Sequence, residues 1–403
     1  MPVNLYYTQR VRGFQQESEK YTGESATFRL RRTQHRCLRC GSTAVVATPL
    51  RRRSIRGEPL GSCREVRLEF TVHRLYCSCC KSRAMEHIPF LSHPKSRISR
   101  ALERTILELR PHMSLRALAD YFHLRWHTIK ELEKKVLRRR FARIQTAHIR
   151  AIGIDEIHVG NGKGAAQYLT IVRDLKSGTV IHVGEGKGVQ ALAGALKKLK
   201  KSKLKVVAMD MANAYYRWIS EHFPRVHIVF DHFHVIKLMN DRLDHVRRRV
   251  TARLDDVQQK QLKGLRFIFL RNNEDLPENA KGILKNMRGV FQDLGDTYMF
   301  KEALRSIYAR AKSSYHARIA FHRWCRLSEE TEIPELKSMA KTIREKLDGI
   351  VGYWTFRHIS NAGMEGFNNK IRWLIRQAYG FRDREYFKLK IFQLPEISCV
   401  KAM

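Results

Sequence analysis

From residue 149 onward, short apolar strands alternate with amphipathic helices, and this alternation restricts the possible folds more than any other feature of the chain. Three successive strands are predicted first, in IRAIGIDEIHV, QYLTIVRDL and GTVIHVGEG. A helix, a strand, a second helix and a fifth strand are predicted to follow up to residue 235. Strands that alternate with helices indicate an α/β domain. A three-stranded meander followed by such alternation is the order expected of a ribonuclease H-like fold.

Two of the predicted strands each contain a carboxylate that is costly to bury. Asp155 lies among isoleucines in the first strand, and Asp210 ends the strand VVAMD. Two acids on neighbouring strands repel each other and favour a cation between them. Oxygen ligands suit both Mg²⁺ and Mn²⁺, and the sequence does not distinguish these ions. A third carboxylate, Glu365, would come from a helix predicted to begin near Ser360 or Asn361.

Each of these three acids also has a structural interpretation. Asp155 suits a strand-end cap or an ion pair, and Asp210 suits the N-cap of the following helix. Glu365 lies near a predicted helix start, where the helix dipole favours an acid. The metal-site interpretation therefore depends on the three acids lying together in the fold.

Other polar side chains near these acids are predicted to have mainly structural roles. Asp231 is expected to cap the helix that follows the fifth strand. Glu156 and Asp174 are expected to be surface or turn acids. His232 and His234 flank Asp231 and are candidates for metal ligands, although histidines at a strand-to-helix junction are more often structural or phosphate-facing.

The chain is strongly basic, with 77 Lys and Arg against 39 Asp and Glu and a formal net charge of +38. Residues 1–150 hold 32 basic and 12 acidic side chains, a net charge of +20, so both halves are basic. Such an excess exceeds what surface solubility requires and indicates a polyanionic partner, first of all nucleic acid. No apolar run approaches the roughly 20 residues that span a bilayer. We therefore expect a soluble, cytoplasmic protein without a membrane partner.

Six of the eight cysteines lie in one short window, which predicts a metal site rather than disulfides. Two cysteine pairs with two intervening residues, joined by predicted strands, indicate a zinc ribbon with four thiolate ligands. The predicted Zn²⁺ ligands are Cys37, Cys40, Cys77 and Cys80. Cys79 is a plausible substitute for Cys77 or Cys80, and reduced cysteines without metal are the alternative. The basic stretch Arg51, Arg52 and Arg53 between the pairs is predicted to bind DNA.

Residues 97–143 predict helices joined by a tight turn, with Ser114 as an N-cap. Two short helices of this kind fit a helix-turn-helix, whose second helix meets base edges near its start. The residues predicted to contact DNA there are Arg125, His127, Thr128 and Lys130. A purely structural helical hairpin is the alternative.

The predicted fold is an α/β catalytic core of ribonuclease H-like fold with an all-α insertion, preceded by a zinc ribbon and a helix-turn-helix. Its segments are a 1–32 arm, a 33–92 zinc ribbon, a 93–148 helix-turn-helix region, a 149–235 and 351–403 catalytic domain, and a 236–350 helical insertion.

Several motifs resemble the ISL-three family of bacterial insertion-sequence transposases over nearly the whole chain. The strongest match is ISNAGMEGFNNKIRWLIRQAYGFRDREYFKLKIF, and the others are IGIDEIHVG, VVAMDM with AYYRWI, and FDHFHVIKLMN. The resemblance implies a catalytic triad of Asp155, Asp210 and Glu365. It also implies recognition of terminal inverted repeats and target DNA, and a homo-oligomer assembled on DNA.

The sequence therefore predicts a DDE transposase that cleaves and transfers DNA strands with metal ions. Side chains after Glu365 on its helix are predicted to bind DNA phosphate: Asn368, Lys370 and Arg372. One alternative is a binding-only DNA regulator with an inert nuclease-like domain. Another is a structure-specific nuclease that cleaves without joining.

Overall fold

The computed structural model describes residues 5–160, 167–257, 259, 265–282, 284, 291–356, 359 and 361–400, with side chains up to residue 396. The chain divides into two compact units, Met1–Ala142 and Arg143–Met403. Each unit contains a five-stranded sheet and its own hydrophobic core. Among the described helices, none is both long enough and apolar enough to cross a lipid bilayer.

One mixed sheet organises the first unit. Its strands are β1 (Phe14–Thr22), β2 (Ser25–Arg32), β3 (Val45–Arg56), β4 (Glu65–Cys77) and β5 (Arg83–Met85). The order is β1-β2-β4-β3, with β5 also paired to β4. β2 and β4 run parallel, and the other pairs are antiparallel. The predicted strand β4 buries Val66, Leu68 and Phe70 on one face because side chains alternate along a strand.

The segment 1–32, expected from the sequence to be an arm, supplies a short helix, α1 (Leu5–Thr8), and two strands of this sheet. Every second side chain of β2 points into the core, namely those of Ala26, Phe28 and Leu30. The period-two pattern of SATFRLRR is the sequence signal for this strand, and the sequence analysis missed it.

Three helices follow the sheet in the first unit: α2 (Arg100–Leu109), α3 (Leu115–Tyr121) and α4 (Trp126–Phe141). Ser114 caps α3 as predicted, since its side chain accepts a hydrogen bond from the Ala117 N–H at 3.0 Å. The three helices share a small core that includes Leu102, Leu118 and Ile129.

A second mixed sheet organises the second unit. Its strands are β6 (Ala151–His158), β7 (Tyr168–Asp174), β8 (Val180–Glu185), β9 (Val206–Met209) and β10 (His227–Phe230). The order is β10-β9-β6-β7-β8, with β6, β7 and β8 antiparallel and β6, β9 and β10 parallel. The predicted meander and the two later strands are confirmed. This mixed α/β arrangement fits the predicted ribonuclease H-like fold.

Helices complete the second unit. They are α5 (Ala193–Leu199), α6 (Asn213–His222), α7 (His232–Thr251), α8 (Arg266–Leu270), α9 (Gln292–Arg310), α10 (Ser314–Glu330), α11 (Pro334–Glu345), α12 (Leu347–Thr355), α13 (Ala362–Gln377) and α14 (Arg384–Val400). All secondary structure described between residues 236 and 350 is helical, as the sequence predicts. The predicted start of α13 at Asn361 agrees with the structure, whereas Ser360 lies outside the described residues.

The two faces of the second sheet are covered by different helices. Ile152 and Ile154 of β6 pack in a core with side chains of α5, α6 and α7. Ile157, on the opposite face, packs with Met364 and Phe367 of α13. Side chains alternate along a strand, so Asp155 shares the face of Ile157 and Glu156 shares the other face.

Gly153 allows α13 to approach β6 closely. A Cβ atom at this position would lie 2.7 Å from the Asn361 side-chain oxygen and 2.9 Å from Met364 Cγ. The missing side chain therefore lets the helix that carries Glu365 lie directly on the strand that carries Asp155.

Candidate active site and metal centre

Asp155 lies half-buried on β6, on the face that α13 covers. Its Oδ1 accepts the Glu156 N–H at 2.8 Å, and its Oδ2 accepts a hydrogen bond from Asn368 Nδ2 at 2.7 Å. Burial raises the pKa of Asp155, and the charge of Asp210 adds to this, although the two hydrogen bonds oppose it. The carboxylate is therefore fixed in orientation while its negative charge is only partly compensated.

Two asparagines of the α13 region connect Glu365 to this strand. Asn361 precedes the helix and donates its Nδ2 hydrogen to the Ile154 carbonyl oxygen at 2.9 Å. Asn368 lies three residues after Glu365, so both side chains occupy one side of the helix. Asn368 is buried, whereas Glu365 is exposed. These bonds place the Glu365 turn of the helix beside the strand of Asp155.

Asn368 was expected to hold DNA phosphate, and the structure gives it a different environment. It is 4% exposed and bonded to Asp155, because its face of α13 packs against the sheet. Lys370 and Arg372, also predicted to bind phosphate, are exposed. The sequence signal for Asn368 was its spacing of four from Met364 and three from Ile371, which puts it on the apolar, buried side of α13.

Asp210 follows β9 and lies within electrostatic reach of His234 and Lys346. Burial lowers the pKa of His234, but its contact with Asp231 and the charges of Asp210 and Asp155 outweigh that effect and raise it. Lys346 donates to the carbonyl oxygen of Met211, and the Asp210 charge acts on it as well. Lys346, and His234 in its protonated form, would partly balance the charge of the acids at this edge of the sheet.

Asp155 and Asp210 interact electrostatically, and Glu365 lies on the helix that packs against the strand of Asp155. The structure describes all three predicted catalytic acids, and their carboxylate oxygens do not all lie within 4.8 Å of one another. Ionised carboxylates repel, and a site for two ions about 3.5–4 Å apart spreads its ligands more widely than a site for one. The donor set remains oxygen-rich, which suits Mg²⁺ or Mn²⁺.

Three neighbouring acids have structural roles. Asp231 caps α7 as predicted, accepting the Phe233 N–H at 3.2 Å. Asp174 holds the turn after β7 by accepting the Ser177 N–H at 2.9 Å, also as predicted. Glu156 is not a surface acid. It accepts hydrogen bonds from the Tyr215 hydroxyl and the Gly188 N–H, because it lies on the face opposite Asp155.

The four predicted zinc ligands come together in the first unit. Cys37 Sγ lies 3.5 Å from Cys80 Sγ, Cys40 Sγ lies 3.6 Å from Cys77 Sγ, and all four sulfurs lie within 4.8 Å of one another. Antiparallel pairing of β3 with β4 aligns Val45 with Cys77 and so brings the two cysteine pairs together. This set of four cysteines is compatible with Zn²⁺.

Backbone geometry and hydrogen bonds shape this centre. Gly41 and Lys81, each just after a cysteine pair, have positive φ angles of 74° and 56°. The Ser82 hydroxyl, together with the backbone N–H groups of Cys40 and Arg39, lowers the pKa of Cys37 to about 5, and it is also the main cause that lowers the pKa of Cys80. Cys79, the predicted substitute ligand, is exposed and lies outside the group of four.

The predicted DNA-contact residues of α4 lie at its start. Arg125 is the N-cap residue, and His127 is exposed. Thr128 is half-buried, and Lys130 lies 3.3 Å from Glu131. Trp126 is 50% exposed, although the sequence analysis did not select it. A four-residue turn separates α3 from α4.

The three consecutive arginines of β3 have different surroundings: Arg51, Arg52 and Arg53 do not all line the same cleft. Arg51 and Arg53 line a cleft of about 450 Å³, whereas Arg52 is not among its lining residues. Arg53 is held by the carbonyl oxygens of Pro94 and Ser96, each at 2.5 Å. The other cations that line this basic cleft are Arg56, Arg67, Lys95 and Arg97.

Comparisons with known proteins agree on one family. The family model DDE_Tnp_ISL3, described as a transposase, matches residues 152–391. The chain is 29% identical to the transposase for insertion sequence element IS1001 of Bordetella parapertussis, over 88% of this chain and 87% of that protein. It is 26% identical to the transposase for IS1557 of Mycobacterium tuberculosis, over 79% and 76%.

A solved structure with a weaker likeness is the Drosophila P element transposase strand transfer complex. That comparison has a TM-score of 0.38 and 11% identity, covering 74% of this chain and 91% of the other. DDE transposases act on DNA and generally use divalent metal ions. Since the family model matches more than half of the chain, this protein belongs to the ISL-three (ISL3) family of transposases.

Proposed function

We propose that this transposase cleaves and transfers DNA strands through Asp155, Asp210 and Glu365. The observation that carries the proposal is the 2.7 Å hydrogen bond from Asn368 to Asp155. That bond ties the helix of the third acid to the strand of the first. The second acid follows β9, which pairs directly with β6.

The three acids would hold Mg²⁺ or Mn²⁺. When bound, such ions activate an attacking oxygen and stabilise the leaving one. Asn368 orients Asp155 and favours its ionised form. The nearby acids raise the pKa of His234, and its protonated form would reduce the repulsion that an incoming phosphate would meet. No protein nucleophile is required, since positioning and charge stabilisation suffice for phosphoryl transfer.

The first unit would bind the ends of the mobile element. Its relatives are named as transposases of insertion sequence elements, so terminal inverted repeats are the proposed ligand. Cys37, Cys40, Cys77 and Cys80 would hold Zn²⁺. The start of α4 would read bases, and the basic cleft would contact phosphate. Arg51, Arg67, Lys95 and Arg97 are exposed in that cleft. A homo-oligomer on DNA is part of the same proposal.

A cleavage and joining assay on linear DNA with the element's own ends tests this function. We expect wild-type protein with Mg²⁺ to cut at the element boundary and to join pre-cut ends to target DNA. Glu365→Gln should bind the ends and do neither. Glu221→Gln, which changes an exposed acid on α6, is the matched control and should behave as wild type.

The possible failures of that assay differ in meaning. Binding without cutting by wild type would favour a binding-only regulator. Cutting without joining would favour a structure-specific nuclease. Normal cutting by Glu365→Gln would remove that residue from the triad.

A further inference from the structure

Three further metal-ligating side chains converge in the first unit, outside the four-cysteine centre. They are His35, His73 and Glu86, and one ligand atom of each lies within 4.8 Å of the others. The proposed transposase chemistry uses none of them.

Each oxygen of the Glu86 carboxylate faces a different imidazole. Oε1 lies 3.1 Å from His73 Nδ1, and Oε2 lies 3.4 Å from His35 Nδ1. The two ring centroids are 4.6 Å apart. Nitrogen and oxygen atoms that bind one zinc ion at about 2.0–2.2 Å are separated by similar distances.

Two of the converging atoms lack a hydrogen-bond partner in the described part of the chain. His35 Nδ1 and Glu86 Oε2 are both buried, and the contact between them does not meet hydrogen-bond geometry. Glu86 Oε1, in contrast, accepts the backbone N–H of His73 at 2.8 Å and lies within hydrogen-bonding distance of the ring Nδ1 of His73. The Glu86 side chain is 1% exposed, and a buried carboxylate oxygen without a donor is costly.

Neighbouring charge does not supply the missing partner. The Arg32 guanidinium acts electrostatically on Glu86, but it donates hydrogen bonds to the carbonyl oxygens of Gln34 and His87. A cation held between His35 Nδ1 and Glu86 Oε2 would satisfy both atoms.

The fold builds this group from three separate segments. His73 lies on β4, and Glu86 follows β5, where its N–H donates to the His73 carbonyl oxygen at 3.1 Å. His35 follows β2 and precedes the first cysteine pair. An ion there would connect these segments to one another.

We propose that His35, His73 and Glu86 bind a second transition-metal ion, with Zn²⁺ as the fitting metal. Two imidazoles and one carboxylate form a zinc ligand set that leaves the fourth position for water. The histidine side chains are 22% and 17% exposed, so solvent reaches one side of the group. This site is independent of the acids that carry the proposed function.

Zinc content and zinc ligand type test the proposal in full-length protein. Asp155→Asn and Asp210→Asn are introduced first, so that the acids of the second unit do not retain zinc. We expect about two zinc ions per chain, one of them bound by sulfur alone. X-ray absorption should then show, on average, about two sulfur and two nitrogen or oxygen ligands per ion.

Single substitutions locate the second ion. Glu86→Gln and His35→Gln should each lower the content to about one zinc per chain, bound by sulfur only. His87→Gln changes an exposed neighbouring histidine and should leave both ions in place. About one ion with sulfur ligands only, before any change at these three residues, would overturn the proposal without bearing on catalysis.

Discussion

The four cysteines of the first unit and the three acids of the second unit differ in how closely the fold brings them together. The cysteine sulfurs approach to 3.5 and 3.6 Å in pairs, whereas the acids do not gather within 4.8 Å. Thiols share protons and hydrogen bonds with one another, and the Ser82 hydroxyl supports the group. Ionised carboxylates only repel. The proposed zinc ligands are therefore already gathered in the fold, whereas the proposed catalytic acids leave room between them for metal ions and phosphate.

The largest effect is expected from removing one strand acid. Asp210→Asn should lower cleavage at least about a thousand-fold, because it removes a ligand to the ions that stabilise the transition state. End binding and the thermal midpoint should not fall, since a repulsive charge is lost. Cleavage rates and thermal melting measure the two effects. A variant that melts earlier than wild type would mean that Asp210 stabilises the fold.

A substitution among the four cysteines should instead lower the stability of the first unit. Cys40→Ser should cost the first unit several kcal/mol, on the order of 3 or more, because binding of structural zinc contributes to folding. Proteolysis and zinc content report this change, and DNA-end binding should be lost with it. Cys79→Ser is the matched control and should keep full zinc content. Equal losses in both variants would show that Cys79 belongs to the ligand set.

A smaller effect on the acid site is expected from Asn368→Ala. The Asn368 hydrogen bond stabilises ionised Asp155, whose pKa burial already raises. Without this hydrogen bond the pKa of Asp155 should rise further. As the pH is lowered, Asp155 should therefore become protonated, and activity should fall, at a higher pH than in wild type. The acidic limb of the cleavage profile should move up by about one pH unit. An unchanged limb with a lower plateau would indicate a purely structural role.

The smallest effect is expected in the basic cleft. Lys95→Ala should weaken DNA binding a few-fold regardless of sequence and reduce the slope of log affinity against log salt by about 1. Arg52→Ala changes an exposed neighbour that does not line the cleft, so it serves as the comparison and should change the slope less. A larger change for Arg52 would place the phosphate contact outside the cleft. Equilibrium binding at several salt concentrations measures both slopes.

Much of the fold could be predicted from local patterns. The apolar runs identified β6, β7, β8 and β9, and Ser114 and Asp231 marked helix starts because capping is a local property. The spacing of the cysteines predicted which four of them meet. β1 was missed because it is mostly exposed and lacks a marked apolar face, whereas β2 was missed although its apolar side chains alternate.

The sequence by itself determined the strand and helix order, the positive charge, and the residue types able to bind metal. Only the tertiary structure decided which face each residue occupies. Asp155 and Glu156 lie on opposite faces of β6, and Arg51, but not Arg52, lines the basic cleft. The side chain of Asn368 points inward and donates a hydrogen bond to Asp155. The physical reason is that neighbours along a strand point to opposite faces, so their environments depend on which distant helix or loop packs there.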